Sequence, residues 1–143
     1  MVGLFLAFPA LESTGLLSCA TDVFGGLSKG FYGLDSMLVE GVLRALAGEA
    51  RAEGATRFDP VAFGRVLGLD RAPEVKTVRR KVTYLAKQQK AEDLILAMAI
   101  HHGATAPEAM AVLYVDGHVR AYCGTRKIAK THSARLKFPA PAT

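Results

Sequence analysis

The sequence predicts a mostly helical N-terminal region followed by the start of a region that contains β-sheet. Half of the 143 residues are apolar, so a packed core is expected rather than wholesale disorder. Apolar residues recur at helical spacing over the first three quarters of the chain. The only convincing strand region begins near Ala111. This order indicates a helical domain followed by the beginning of a sheet domain.

Two helices are predicted in the N-terminal part, over residues 10–28 and 34–52. In the second, the apolar residues of "LDSMLVEGVLRALAGEARA" recur at helical spacing. Asp35 or Ser36 is expected to cap its start, because short polar side chains accept hydrogen bonds from the first free N–H groups of a helix. The glycines of "GFYG" are expected to form the bend between the two helices.

The apolar N-terminus is expected to be a core segment rather than a signal peptide or a membrane span. It has no basic region at its start, Pro9 interrupts it, and Glu12 follows soon after. Cys19 and Cys123 lie far apart and form no metal-binding or redox motif, which is typical of a reduced compartment. We therefore expect a cytoplasmic protein with no membrane partner.

Three more helices are predicted, over residues 60–68, 73–90 and 91–103. Asp59 is a suitable N-cap for the first of them, and Pro60 is a suitable first helical residue. Gly68 is expected to end it. A polar connector, "GEARAEGATR", precedes this group.

The basic residues are unevenly distributed. The formal net charge is only +5, but residues 71–90 hold seven Lys or Arg against one acidic residue, and residues 120–137 hold six against none. Such asymmetry is typical of a protein that presents one side to a polyanion.

The helix over residues 73–90 is amphipathic. Val75, Val78, Val82 and Leu85 fall on one stripe at roughly 100° per residue. The opposite side carries Lys76, Arg79, Arg80, Thr83 and Lys87. Together with the short helix before it, this is the outline of a helix-turn-helix whose second helix enters the major groove of DNA. The alternative is an ordinary core helix with a solvated basic face.

The strand region allows two registers. Asp116-Gly117 can form a tight hairpin turn, because Asp-Gly between apolar residues is a strong hairpin signal. Alternatively the strand continues through this point, with Leu113 and Val115 on one face and Asp116 on the other. The second register separates apolar from polar side chains more cleanly and is favoured for that reason.

Two segments resemble a group of bacterial transposases. They are "LGLDRAPEVKTVRRK" and "LYVDGHVRAYCGTRKIAKTH", and the likeness covers roughly residues 58–143 and, more loosely, the N-terminus. These proteins are similar to DDE-type transposases, whose catalytic domain is ribonuclease H-like. The resemblance implies the start of an α/β ribonuclease H-like domain here, with Asp116 as the first catalytic acid and Mg²⁺ ligand. Such a site uses two Mg²⁺ ions held by several carboxylates.

The chain departs from that pattern because it contains no Asp or Glu after Asp116. We therefore expect a transposase-like chain truncated before its catalytic site is complete. Mg²⁺ is expected for a full-length relative and not for this chain alone, which leaves its status as an enzyme uncertain. A partial sheet exposes an edge and apolar surface, so association with itself or with a companion fragment is expected.

DNA is the expected partner, and the predicted domain boundaries are 1–57, 58–104 and 105–143. The predicted DNA contacts are the five polar residues of the basic helix and three cations after the strand, Arg126, Lys127 and Lys130. The alternative reading of those three is a solvated loop and strand edge. Two competing functions stay open at this point: a stand-alone helix-turn-helix DNA-binding module or regulator, and a structural or interaction protein.

Overall fold

A computed structural model describes residues 2–27 and 30–110, together with residues 130–131 and 140–141. The chain divides into two compact units, Met1–Ala109 and Met110–Thr143. The described residues form six α-helices: α1 (Ala7–Ser13), α2 (Leu16–Phe24), α3 (Leu34–Leu46), α4 (Pro60–Val66), α5 (Val75–Lys87) and α6 (Ala91–Thr105). They also form 3₁₀ helices at Val2–Leu6, Ala52–Arg57 and Pro107–Met110. The predicted helical character of the N-terminal region is confirmed.

Beyond Met110, the second unit is described only at two short strands. β1 (Lys130–Thr131) pairs with β2 (Ala140–Pro141) in antiparallel orientation, with Lys130 opposite Pro141 and Thr131 opposite Ala140. The predicted strand from about Ala111 lies outside the described residues. The ribonuclease H-like start and the boundaries at residues 57 and 104 stay predictions.

The prediction of one continuous helix over residues 10–28 was wrong. α1 ends at Ser13 and α2 begins at Leu16, because Gly15 adopts a left-handed conformation with φ of 68°. A Cβ atom at Gly15 would lie 2.5 Å from the imidazole ring of His101 on α6. The break therefore occurs where α6 approaches the backbone closely, a contact that only glycine allows without a shift.

α3 also differs from its prediction at both ends. It stops before residue 52, because Gly48 adopts a φ of 91° beyond its C-terminus. At the other end, Asp35 and Ser36 lie inside the helix and do not cap it. The N-cap is Gly33, whose backbone carbonyl accepts the first helical hydrogen bond. The predicted polar connector between α3 and α4 contains the 3₁₀ helix Ala52–Arg57.

The start and end of α4 are as predicted. The Asp59 carboxylate accepts a hydrogen bond from the backbone N–H of Ala62 at 2.6 Å, and Pro60 is the first residue of the helix. Gly68 follows the C-cap with a φ of 70°. These signals are local, since each depends on one residue's own hydrogen bonding or backbone freedom.

The chain between α4 and α5 folds back onto α4. The N–H of Leu69 donates to the carbonyl of Gly64 at 2.9 Å, and the N–H of Ala72 donates to the carbonyl of Pro60 at 2.8 Å. A Cβ atom at Gly64 would lie 2.6 Å from backbone atoms of Arg71. The two segments thus touch backbone to backbone, which fixes where α5 begins.

One apolar cluster joins α1, α3, α4 and the connection between α4 and α5. Its buried members are Leu11, Val39, Leu43, Phe63, Val66 and Ala72. Residues of the N-terminal 3₁₀ helix and of α1 pack against it, among them Leu4 and Phe8. The prediction that the apolar N-terminus is a core segment is confirmed only in part, since Leu11 is buried whereas Phe5 and Leu6 are 49% and 83% exposed. Within the described residues no single helix is long and apolar enough to span a membrane. The helical segment Gly3–Ser13 and α2 reach that length only when taken together across a 60° bend.

A buried ion pair lies beside this cluster on α3. Nε of Arg44 donates to Oε1 of Glu40 at 2.7 Å, and their side chains are only 6% and 1% exposed. The same guanidinium donates through Nη1 to the backbone carbonyls of Glu49, at 2.9 Å, and Arg51. Arg44 therefore holds the segment that leads from α3 into the 3₁₀ helix Ala52–Arg57.

α6 packs against α2 through one side only. The ammonium of Lys90, just before α6, donates to the backbone carbonyl of Val23 at 2.7 Å, near the C-terminus of α2. A cation is favourable there because free carbonyls give that end of a helix a partial negative charge. The other side of α6 exposes Ile95, Leu96 and Ile100 by 61–69%.

Two glycine substitutions are expected to change stability in opposite directions. Gly64→Ala places a Cβ atom against backbone that cannot move aside easily, so the free energy of unfolding should fall by about 1–3 kcal/mol. Gly41→Ala, within α3, meets nothing within 4 Å. It should raise the free energy of unfolding by about 0.5–1 kcal/mol, since alanine favours a helix more than glycine does.

Urea unfolding followed by circular dichroism measures both effects. Equal behaviour of the two variants would contradict the close approach at Gly64.

Candidate nucleic-acid interface

α5 is held against the protein by a narrow strip of its surface. Its buried residues are Val78, which is 2% exposed, and Lys81, which is 7% exposed. The helix packs mainly against the 3₁₀ helix Ala52–Arg57. The apolar stripe predicted for α5 is only partly buried, because Lys81 occupies part of the packed side and Val82 is 55% exposed. Val82 lines an open groove of about 290 Å³ between α3 and α5.

The polar side of α5 faces solvent. All five predicted contact residues are exposed: Lys76, Arg79, Arg80, Thr83 and Lys87. At about 100° per residue they lie within an arc of roughly 100°, opposite the buried Val78. We call these five residues the basic face. Lys81 also lies on α5, but its side chain is buried, so it does not belong to the basic face.

The cations of the basic face differ in their pairing. The guanidinium of Arg79 forms a hydrogen-bonded ion pair with the carboxylate of Glu53, on the 3₁₀ helix against which α5 packs. Among the described residues no ion pair involves Lys76, Arg80 or Lys87. The side chains of Arg79 and Glu53 are both more than half exposed. Ion pairs at such exposed positions contribute little to stability. The pair does set the direction of the Arg79 side chain.

The dimensions of the basic face match a phosphate backbone. From Lys76 to Lys87 the helix rises about 16 Å. Each strand of duplex DNA carries one charge per roughly 3.4 Å of axis, so several phosphates lie within that span. Cations that are exposed and lack a carboxylate partner bind phosphates by releasing counterions, without needing a particular base sequence.

α4 and α5 are connected differently from a standard helix-turn-helix. The connection comprises residues 67–74, whereas the usual turn has roughly three or four residues. α4 packs mainly against the N-terminal 3₁₀ helix. The helix-turn-helix therefore stays a prediction.

The other predicted site residues are only partly described. Asp116, Arg126 and Lys127 lie outside the described residues. Lys130 lies in β1, opposite Pro141. Within the described ranges no three His, Cys, Asp or Glu residues come close enough together to hold a metal ion.

Sequence reasoning missed Glu53 as a neighbour of the basic face. It lies 26 residues before Arg79 in the chain, in a stretch read only as a polar connector. No local pattern reveals the contact, because it depends on how the 3₁₀ helix Ala52–Arg57 packs against α5.

Comparison with known proteins gives one family. A family model described as "Transposase protein" matches residues 1–139. Neither the curated proteins nor the solved structures contain a match to the chain. Because the family model covers nearly all of the sequence, including both α5 and the segment around Asp116, the chain belongs to this transposase family.

Proposed function

We propose that this transposase-family chain binds DNA through the basic face of α5. The observation that carries the proposal is the exposure of four cations and one hydroxyl on a single side of one helix, opposite its packed side. Membership of a transposase family supports DNA as the polyanion. Of the two arginines on this face, Arg80 is the better placed to contact a DNA phosphate, since Arg79 is engaged by Glu53.

Metal-dependent strand transfer is proposed for relatives that carry a complete site. In those relatives the residue that corresponds to Asp116 would be the first acid of the site. The residues of this chain do not fit a two-metal centre. One carboxylate cannot hold two Mg²⁺ ions, no Asp or Glu follows Asp116, and the described residues hold no metal-binding cluster. The DNA-bound chain alone is therefore proposed to be inactive.

A second candidate is a stand-alone DNA-binding module or regulator. The observation that favours it is that all five residues of the basic face lie on one helix of the first unit, Met1–Ala109. A regulator would bind one DNA sequence far more tightly than others, whereas phosphate binding alone would not discriminate. A helix-turn-helix reading of α4 and α5 belongs to this candidate.

Self-association, or association with a companion fragment, also stays a proposal. The exposed isoleucines and leucine of α6 support it, because contiguous apolar surface of this kind is common at interfaces between proteins. A cytoplasmic location stays a proposal as well.

Removing two cations from the basic face should weaken DNA binding and reduce its dependence on salt. For Arg80→Ala combined with Lys87→Ala, we expect the slope of log affinity against log salt to flatten by about two, one for each lost phosphate contact. Fluorescence anisotropy with a labelled duplex of mixed sequence, titrated at several KCl concentrations, measures this slope.

The matched control is Arg51→Ala combined with Arg65→Ala. Both arginines are exposed and lie off α5, and the change in net charge is the same. If the control pair flattens the slope as much as the α5 pair, binding depends on overall charge and the basic face is not the interface.

Neither the chain nor its Asp116→Asn variant is expected to cleave DNA. Supercoiled plasmid incubated with each protein and Mg²⁺ or Mn²⁺ should stay intact, because a single carboxylate cannot support two-metal catalysis. Nicking is read on an agarose gel. Metal-dependent nicking by the chain that disappears in Asp116→Asn would show that a complete active site forms after all.

A further inference from the structure

A cavity of about 450 Å³ opens beside the N-terminal end of α5. It lies between the 3₁₀ helix Ala52–Arg57, α4 and the connection that leads into α5. Its apolar lining includes Phe58, Phe63, Pro60 and Pro73. The two phenylalanine rings are stacked with their centroids 5.0 Å apart, Phe63 fully buried and Phe58 partly exposed. The partly exposed ring of Phe58 is thus supported from behind by the core.

The cavity has a rigid frame. The hydrogen bond from the N–H of Ala72 to the carbonyl of Pro60, at 2.8 Å, joins two of its lining residues. The close approach of Gly64 to Arg71 fixes the same wall. A cavity held by backbone contacts keeps its shape without a ligand, which lowers the entropy lost on binding.

Charged groups surround the opening. Arg71 and Lys76 line the cavity together with Glu74, which is paired with Arg71 at 3.6 Å. Both members of that pair are more than half exposed, so the carboxylate is easily displaced. An apolar, aromatic floor beside two cations is complementary to a planar apolar group that carries a negative charge.

We propose that this cavity takes one unpaired nucleotide of the DNA that the basic face binds, with its base against Phe58 and its phosphate near Arg71 and Lys76. The inference rests on the proposed function, because Lys76 belongs to both the basic face and the cavity. A strand whose phosphates follow α5 is led to the opening, and a base on that strand enters without a separate association step.

The nucleotide has to be unpaired for a physical reason. A base inside a duplex is stacked on both sides, and its faces are available to an aromatic ring only after it leaves the stack. Stacking on aromatic side chains is a general means of holding single-stranded DNA, and it tolerates any base because every base has a flat face. The cavity volume lies within the roughly 300–1,000 Å³ typical of small-ligand sites.

The experiment compares two labelled DNA probes of identical duplex sequence, one blunt and one with a single-stranded overhang of three nucleotides. Fluorescence anisotropy should give about five- to ten-fold tighter binding of the overhang probe, a modest value for one base on one ring. Placing 2-aminopurine in the overhang adds a second measurement on the unaltered protein. Its quenching by acrylamide should decrease at least about two-fold in the complex, since a base inside a cavity is shielded.

Thr56 is an exposed residue of the cavity lining, so the larger side chain in Thr56→Trp is expected to fill the cavity. Both side chains are uncharged, and the net charge of the protein stays the same. The matched control is Thr105→Trp on α6. Both threonines are exposed, and each hydroxyl donates to a backbone carbonyl at 2.9 Å, of Glu53 and of His101 respectively. Thr56→Trp should abolish the preference for the overhang and leave the affinity for blunt DNA unchanged. Thr105→Trp should leave both affinities unchanged.

The possible failures are distinct. Absence of binding to either probe overturns the proposed function and this inference with it. Equal binding of both probes by the unaltered protein, with an overhang base that stays open to acrylamide, overturns the inference alone. A preference that survives in Thr56→Trp, or that Thr105→Trp removes equally, overturns the assignment to this cavity. If Thr56→Trp does not fold, as judged by circular dichroism, the acrylamide measurement on the unaltered protein decides.

Discussion

The buried guanidinium of Arg44 organises the part of the chain on which α5 depends. It is paired with Glu40 and also donates to the backbone carbonyls of Glu49 and Arg51. Two charges inside a protein are tolerated only when their hydrogen bonds are satisfied, and removing one partner from such a pair costs about 3–5 kcal/mol. The segment after α3 is therefore held by hydrogen bonds to a buried guanidinium, which a loop surrounded by water would lack. That segment leads into the 3₁₀ helix Ala52–Arg57, which is the main support of α5.

α5 is positioned from a second direction by the close approach at Gly64. The backbone of the connection lies against α4 there, and two hydrogen bonds hold it in place. The close approach at Gly64 fixes where α5 begins, and the segment held by Arg44 fixes the surface on which α5 packs. The helix therefore has little freedom to rotate about its axis. Val78 and Lys81 are turned inward, so the basic face has to point to solvent. The orientation of the proposed interface is thus a consequence of the packing on the opposite side of α5 and not of the five residues of the basic face.

The same packing brings side chains from separate segments of the chain together around α5. Glu53 reaches Arg79 from the supporting 3₁₀ helix, and Phe58 and Arg71 meet Lys76 at the cavity. The proposed phosphate-binding face and the proposed base-binding cavity are then adjacent, and Lys76 belongs to both. Chemistry on DNA is a separate matter: the role of Asp116 as a catalytic acid stays a prediction, because this residue lies outside the described part of the chain.

The sequence by itself determined the features that depend on a residue and its immediate neighbours. The N-cap at Asp59, the stop at Gly68 and the two-sided character of α5 follow from local hydrogen bonding, backbone freedom and helical periodicity. Only the tertiary structure decided the break at Gly15, the burial of Lys81 and the pairing of Arg79 with Glu53. Each of these depends on a partner at least 26 residues away or on a packed surface: the imidazole of His101, the packed side of α5, and a carboxylate on another helix. A one-dimensional pattern carries no information about which distant segment comes into contact, because that is decided by the packing of the whole core.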